Sequence, residues 1–451
     1  MSISSESTVR LPPRTRVPGP LLLAGWVASR RSLLQHLQRK HGSTFAMSMP
    51  PFGPSVVLTS ADLTKQLFTT DAEVSLPGEP GLGNILGPGS TFSLLGTPHR
   101  RRRKLLVPPF HGRQMRAHEQ LMVEETRRAA ATWPKGVEFA MNEPLMELAL
   151  TIILKTVLGA TGKHYDDLQR MMPALVELGT SVTTSPFANP NRKNGAWARY
   201  RAARAAYDVV ALDLIRTARR DPHLDDRNDM LAMMIQSRYE DGEPMGDQEI
   251  ADELLTLLGA GHETTANTLS WTIERLRRHP MVLDKLVEEV DAGGSDYLKA
   301  TIVESQRVRP VIVDVTRKVA AETMPLGEWV LPRGYQVLVA TDLVQMDENV
   351  FPDPERFDPD RFVDAKPGMY SWVPFGGGTR RCIGAAFAEM EMTAILRTLL
   401  EEYELMPSVA PDEKWKSRGV AWTPHAGALA VWHERETAAV LPVPAGAAVD
   451  A

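Results

Sequence analysis

Residues 375–390 read Phe-Gly-Gly-Gly-Thr-Arg-Arg-Cys-Ile-Gly-Ala-Ala-Phe-Ala-Glu-Met, and they hold the one cysteine of a 451-residue chain. Three consecutive glycines allow a tight loop whose backbone can come close to a large flat ligand. Beyond Cys382, residues 384–400 have helical spacing, so the thiol stands just ahead of a helix N-terminus. That position offers free N–H donors and positive dipole, and both favour thiolate over thiol. Arg380 and Arg381 add positive charge. A lone cysteine is by default a small buried hydrophobe; one so placed is a nucleophile or a soft-metal ligand. A nucleophile needs a general base, and no His stands nearby in sequence to serve. One cysteine also excludes an intrachain disulfide framework and any multi-cysteine zinc or iron–sulfur site.

Outward from the loop, helical patterns dominate. Residues 119–133, 143–158 and 198–219 carry apolar side chains at helical spacing with charges opposite. Residues 247–279 predict a long core helix with Asp247 as N-cap, arginines at 275, 277 and 278, and Pro280 as the stop. Its centre, Gly259-Ala260-Gly261-His262-Glu263-Thr264-Thr265, has two glycines that each cost about 1 kcal/mol relative to Ala, and a Thr hydroxyl there can bond the i−4 carbonyl and distort the helix. Strand-like runs are short and scattered (55–58, 328–331, 336–340, 428–432). The expected fold is therefore mainly α with a small β-rich part. Residues 1–29 read as a Pro-rich extended segment, 30–433 as the folded domain and 434–451 as a disordered tail.

The composition, 43% hydrophobic and 24% charged, is that of a globular protein able to bury a large core. A net charge of −5 gives no reason to expect nucleic acid. The apolar run 21–28 falls far short of the roughly 20 residues that span a bilayer, and it follows prolines unlike a signal peptide. A cytoplasmic protein with no transmembrane anchor is expected, with membrane-surface contact through Leu21–Trp26 left open.

Phe375-x-x-Gly378-x-Arg380-x-Cys382-x-Gly384 resembles the haem-binding loop of the cytochrome P-450 family at every fixed position. The resemblance implies haem b with Cys382 as axial thiolate, which pushes electron density towards iron and favours O–O cleavage. Phe375 would then pack beside the sulfur and Arg380 pair a haem propionate. Ala260-Gly261-x-Glu263-Thr264 is similar to the family's oxygen-activation groove, in which Glu263 and Thr264 would be the acid–alcohol pair supplying protons. Gly96-x-x-His99-x-x-x-Arg103 and Val315-Thr-Arg317 match further propionate-binding positions. Glu304-x-x-Arg307 resembles the family's buried pair, with Arg356 of Pro354-Glu-Arg-Phe357 as its expected third member. Arg100, Arg101 and Arg102 are expected partly to face the proximal surface and dock an acidic redox partner.

The likeness covers residues 30–433, and the wording of the loop is most similar to mycobacterial and other actinobacterial members. It implies a monooxygenase that inserts one atom of O2 into a small apolar organic substrate, such as a lipid, steroid or terpenoid. No stretch remains for a fused reductase, so ferredoxin and ferredoxin reductase are the expected electron donors. The substrate pocket is expected among 75–95, 180–194, 258–264, 311–315 and 421–422. Two alternatives stay open: a peroxide-using or isomerising haem-thiolate enzyme, and a non-catalytic haem sensor or carrier. Neither has need of both Glu263 and Thr264.

Overall fold

The computed structural model describes residues 8–50, 52–78, 82–108, 113–184 and 194–435, without the side chains of 113–117 and 184. Helices run in order α1 Gly19–His41, α2 Ala61–Thr69, α3 Leu82–Leu86, α4 Gly96–Leu106, α5 Arg113–Ala130, α6 Asn142–Thr156 and α7 Gly162–Thr184. They continue with α8 Ala196–Arg219, α9 Met230–Gln236, α10 Asp247–Arg278, α11 Pro280–Asp291, α12 Asp296–Val308, α13 Thr341–Val344 and α14 Ala385–Glu402. Strands are β1 Thr44–Met49, β2 Gly53–Leu58, β3 Ser75–Pro77, β4 Phe139–Ala140, β5 Asp314–Val319, β6 Thr323–Leu326 and β7 Trp329–Pro332. Then come β8 Gln336–Ala340, β9 Tyr403–Leu405, β10 Trp415–Arg418, β11 Ala421–Pro424, β12 Leu429–Ala430 and β13 Trp432–Glu434. The expected helical body with a small β part is what forms.

The largest sheet has the order β1-β2-β8-β5-β3, with β2 and β8 parallel and the other neighbours antiparallel. The other four sheets, each two-stranded, include the hairpin β10–β11. The main core gathers the apolar faces of α5 to α10, α12 and α14, and a second apolar cluster fills the β part.

The centre of the molecule is α10, whose 32 residues present buried side chains all round for most of its length. Its cap differs from expectation. Gly246 is the N-cap, and Glu249 Oε2 accepts the Gly246 N–H at 2.9 Å. Asp247, already helical, pairs with Arg219 at 2.7 Å. Pro280 ends the helix, as expected, and at once opens α11. No break interrupts the Gly-rich centre, because Thr264 Oγ1 donates to the Ala260 carbonyl at 2.7 Å without displacing the turn. Gly261 also offsets its helix cost by packing: a Cβ there would fall 2.4 Å from Ile153 Cδ1, so α6 lies directly against α10.

The N-terminal segment departs from the extended reading. Residues before Pro18 do bridge to strands, Arg14 to Ala46 of β1 and Arg10 to Val330 of β7, but from Gly19 the chain is helical, with a kink at Ser29. Pro18 caps α1 and Pro20 occupies its first turn, where a missing N–H costs nothing. Leu22 is fully buried with Leu34, Leu37 and Phe45, and Arg30 binds both Asp314 and Asp342. Residues 19–29 are thus built into the fold as helix, while residues 1–7 of the expected segment lie outside the described residues. Of the expected tail, 436–451 lies outside the described residues.

Candidate functional site

The cysteine loop is shaped by two glycines in the left-handed region, Gly376 and Gly378, both at φ 64°. Gly378 is also forced by space, since a Cβ there would lie 1.9 Å from the Phe68 carbonyl oxygen. The loop closes through Cys382 N–H donating to the Phe375 carbonyl at 2.9 Å. Phe375 meets Trp372 edge-on at 5.7 Å. Gly384 then caps α14, which places Cys382 just ahead of a helix N-terminus as expected.

Cys382 is solvent-accessible, although protein surrounds it closely. Desolvation pushes its thiol up, opposed by the Gly384 N–H and by Arg103 and Arg381. The expected thiolate-favouring groups are therefore present, but alone they do not outweigh burial. A bound metal cation would, since coordination deprotonates a thiol outright.

Beside this loop the chain concentrates positive charge without neutralising it. His99 and Arg103 share one face of α4, as their spacing requires. Arg317 comes from β5 and Arg380 from the loop, and His99, Arg317 and Arg380 line one small pocket with Phe68, Gly96 and Thr379. Arg380 donates to the Thr91 carbonyl at 3.0 Å and to that of Leu94. Arg317 donates to the Thr316 carbonyl at 3.0 Å and lies over the Phe68 ring. Among the described residues none of Arg103, Arg317 and Arg380 pairs with a carboxylate. His99 is 3% exposed with its Nε2 unpartnered.

This crowding perturbs every member. Desolvation, then Arg380, Arg103, Arg100 and Arg317, push His99 down to about 3. Burial holds Arg317 down to about 10, and burial with Arg317 and Arg103 does the same to Arg380. Arg103 is lowered by burial against the attraction of Cys382. A buried donor without an acceptor beside unpaired guanidinium groups is costly unless an anion joins them. These residues fit the carboxylates at the edge of a haem seated beside the cysteine loop.

The chain matches the family profile described as Cytochrome P450 over residues 10–431. It belongs to the cytochrome P450 family. A protein of Mycobacterium tuberculosis strain H37Rv, provisionally named cytochrome P450 138, is 46% identical over 432 residues, covering 95% of this chain and 97% of the relative. Another from the same strain, provisionally named cytochrome P450 135B1, is 37% identical, covering 94% and 92%. The mycobacterial likeness of the loop is borne out. Among solved structures, the retinoic acid-bound cyanobacterial CYP120A1 superposes with a TM-score of 0.81 at 22% identity, covering 95% of this chain and 100% of that one. Family membership makes this P450 a haem monooxygenase, and no helix among its described residues is long and apolar enough to cross a membrane.

On α10 of the P450, Ala260 is exposed and Gly261 partly so, while most of the helix is buried. The helix therefore opens onto accessible space at the expected groove. Glu263 is 8% exposed. Burial raises its carboxyl, and Arg418 of β10, with Nε 3.4 Å away, draws it back down.

Three expectations about arginines need correction. Glu304 and Arg307 do form a buried bidentate pair, at 2.7 and 2.8 Å. The further guanidinium near Glu304 is that of Arg361, Nε to Oε1 at 3.7 Å, not that of Arg356. Arg356 contributes only its carbonyl to Arg307, and its side chain is exposed. Arg102 does not face a docking surface either: it is 1% exposed, bound to Glu249 and Glu253. Arg101 pairs with Asp241, which leaves Arg100 as the exposed member of the run.

Two residues escaped the sequence reading. Arg418 follows no local motif. Glu391 of α14 is buried with Oε1 unpartnered, and burial pushes it up to about 8 against a hydrogen bond from Thr265. Of the expected pocket segments, Val311 packs with Trp271 and Ala421, whereas 185–193 lies outside the described residues.

Proposed function

We propose that Cys382 is the axial ligand of a haem b, with His99, Arg103, Arg317 and Arg380 holding its propionates and Phe375 packed beside the sulfur. On this reading, the P450 inserts one oxygen atom from O2 into an apolar organic substrate of the lipid, steroid or terpenoid kind. The single observation that carries it is the part-buried cluster of one histidine and three arginines, paired with no carboxylate among the described residues, flanking the cysteine loop. Bound haem supplies the binding and cleavage of dioxygen; the chain's own residues supply position, charge and protons.

Ala260 and Gly261 would form the wall of α10 against the ring, since with Gly259 and Thr264 they make up an accessible stretch in the otherwise largely buried middle of that helix. Thr264 Oγ1, whose O–H donates to the Ala260 carbonyl, has lone pairs free to accept a proton and can pass one on by rotation about χ1. Glu263 would supply that proton, its carboxyl being nearly buried and pulled in both directions by desolvation and Arg418. An acid and an alcohol on successive residues suit the protonation of reducing oxygen, and a sensor or carrier has no use for them. Val311 and Ala421, from the expected pocket segments, pack with Trp271 in a buried apolar cluster that Ile312 adjoins, which supports an apolar substrate. Electrons would arrive from separate proteins of the ferredoxin and ferredoxin reductase type, and cytoplasmic residence fits such donors.

The absorption spectrum of the reduced, carbon monoxide-bound protein tests this. A Soret band at the thiolate-ligated position is expected, and Cys382→Ser should abolish it. A histidine-type band, or no haem uptake, would overturn the assignment.

A further inference from the structure

Glu263 lies near the middle of α10, yet its charged partner comes from outside that helix. Arg418 ends β10, paired in register with Ala421 at the tip of the β10–β11 hairpin. The hairpin is anchored one pair behind its tip: Trp271 Nε1 donates to the Trp422 carbonyl at 3.1 Å, and Trp422 N–H donates to that of Val311 at 2.9 Å. The tip is confined too, since Gly419 has φ 77° and a Cβ there would fall 2.0 Å from Thr180 Cγ2 of α7. A braced arm thus spans from α7 to the middle of α10 and presents Arg418 Nε 3.4 Å from Glu263 Oε1. Arg418 is 41% exposed and pairs with no other carboxylate among the described residues.

We propose that Arg418 is a positioning residue for Glu263: carried on the β10–β11 hairpin, its guanidinium holds the carboxyl in place and favours its charged form. The inference rests on the reading of Glu263 as the proton-supplying acid. Burial and Arg418 act on Glu263 in opposite directions, so withdrawing one leaves the other in control. The remaining titratable neighbour is His262 on the same helix, buried with Nδ1 on the Leu258 carbonyl and kept neutral by desolvation. Among the described residues of α6, α7 and β11 no further charge acts on the carboxyl. The hairpin also carries Ala421, which packs on Trp271 and Val311, so the residue paired with Arg418 in register is itself fixed in the core.

The test uses the haem-loaded protein and needs no known substrate. Unfolding temperature is measured from pH 5 to 8.5 for wild type, Arg418→Ala, Arg418→Lys, Glu263→Gln and the Arg418→Ala/Glu263→Gln double variant. Arg418→Ala should lose about 2 °C or more at pH 8, less as the pH falls and the carboxyl takes up its proton, and nothing further on the Glu263→Gln background. Lys should restore most of the loss. A loss equal at every pH, or one persisting beside Glu263→Gln, would mean that Arg418 merely supports the hairpin and would overturn the proposal. Reductant-driven peroxide release without substrate is then followed against pH. Its Glu263-dependent limb should move up by a pH unit or more in Arg418→Ala and return in Arg418→Lys; an unmoved limb overturns control of the acid. If Glu263→Gln leaves the wild-type profile unchanged, the reading of Glu263 as proton source fails and control of it falls too, while the unfolding series still reports separately on the pairing.

Discussion

Arg307 meets Glu304 through two parallel hydrogen bonds, Nε to Oε2 at 2.7 Å and Nη2 to Oε1 at 2.8 Å, with both side chains wholly enclosed. Around this pair, Asp358 N–H donates to Glu304 Oε1 and Arg307 Nη1 donates to the Gln345 carbonyl at 3.1 Å. The pair therefore ties α12 to the segments that lead into the cysteine loop. Removing one partner of a buried pair leaves an uncompensated charge, at about 3–5 kcal/mol. Arg307→Ala should lower the denaturation midpoint accordingly. Arg361→Ala should also destabilise, whereas Arg356→Ala should stay within about 0.5 kcal/mol, as surface changes usually do. Equal losses from Arg356 and Arg361 would contradict the placement.

The two left-handed glycines of the cysteine loop should respond differently to alanine. Nothing lies within 4 Å of a Cβ on Gly376, so Gly376→Ala should cost only the conformational penalty of about 1–2 kcal/mol. Gly378→Ala also drives a methyl into the Phe68 backbone and should abolish haem uptake, read as the ratio of Soret to protein absorbance.

His99 gives a pH signature with a defined sign. Its folded value near 3 lies below the usual 6.5, so its contribution to stability is present above pH 6.5 and lost as pH falls towards 3. Haem-free protein should lose stability across that window, and His99→Asn should flatten the slope. In haem-loaded protein neighbouring carboxylates oppose the arginines, so the slope should shrink.

Glu391 has the opposite sign. Burial raises it from 4.5 to about 8, so its contribution is complete below pH 4.5 and lost as pH rises through 8. Glu391→Gln should gain in melting temperature over wild type at pH 8 and show no gain at pH 5.

Thr264→Ala should keep the Soret band and reductant consumption but divert electrons to peroxide, cutting product per reductant severalfold once a substrate has been found by its spin-state shift. Coupling that stays intact would remove Thr264 from the proton path.

Much of this was legible in the sequence because the haem chemistry is local. Cys382, its glycines and Arg380 lie within eight residues, and His99 with Arg103 needs only one helix turn. What was not legible depends on packing between distant segments. Both Pro354-Glu-Arg-Phe357 and Pro359-Asp-Arg-Phe362 offer an arginine at the same spacing, and only the fold turns Arg361 inward. Arg102 reads like its neighbours until Glu249 and Glu253 of α10 are placed beside it. Arg418 belongs to a strand with no motif and gains meaning from a residue more than a hundred positions earlier. The prolines before α1 suggested an extended chain, because Pro at a helix start and Pro in a coil look alike without the buried Leu22.

The clasp of Arg30 on Asp314 joins residues 284 apart in the chain, and β2 likewise waits for β8 as its parallel neighbour. During synthesis, at about 5–20 residues per second, the partners of the N-terminal helix and hairpin emerge roughly 15–60 s after it does. Through that interval the β1–β2 hairpin presents an open strand edge and the apolar face of Leu22, Leu34 and Phe45. The yield of folded enzyme from a cell should therefore depend on how well this early segment is shielded from pairing with other chains.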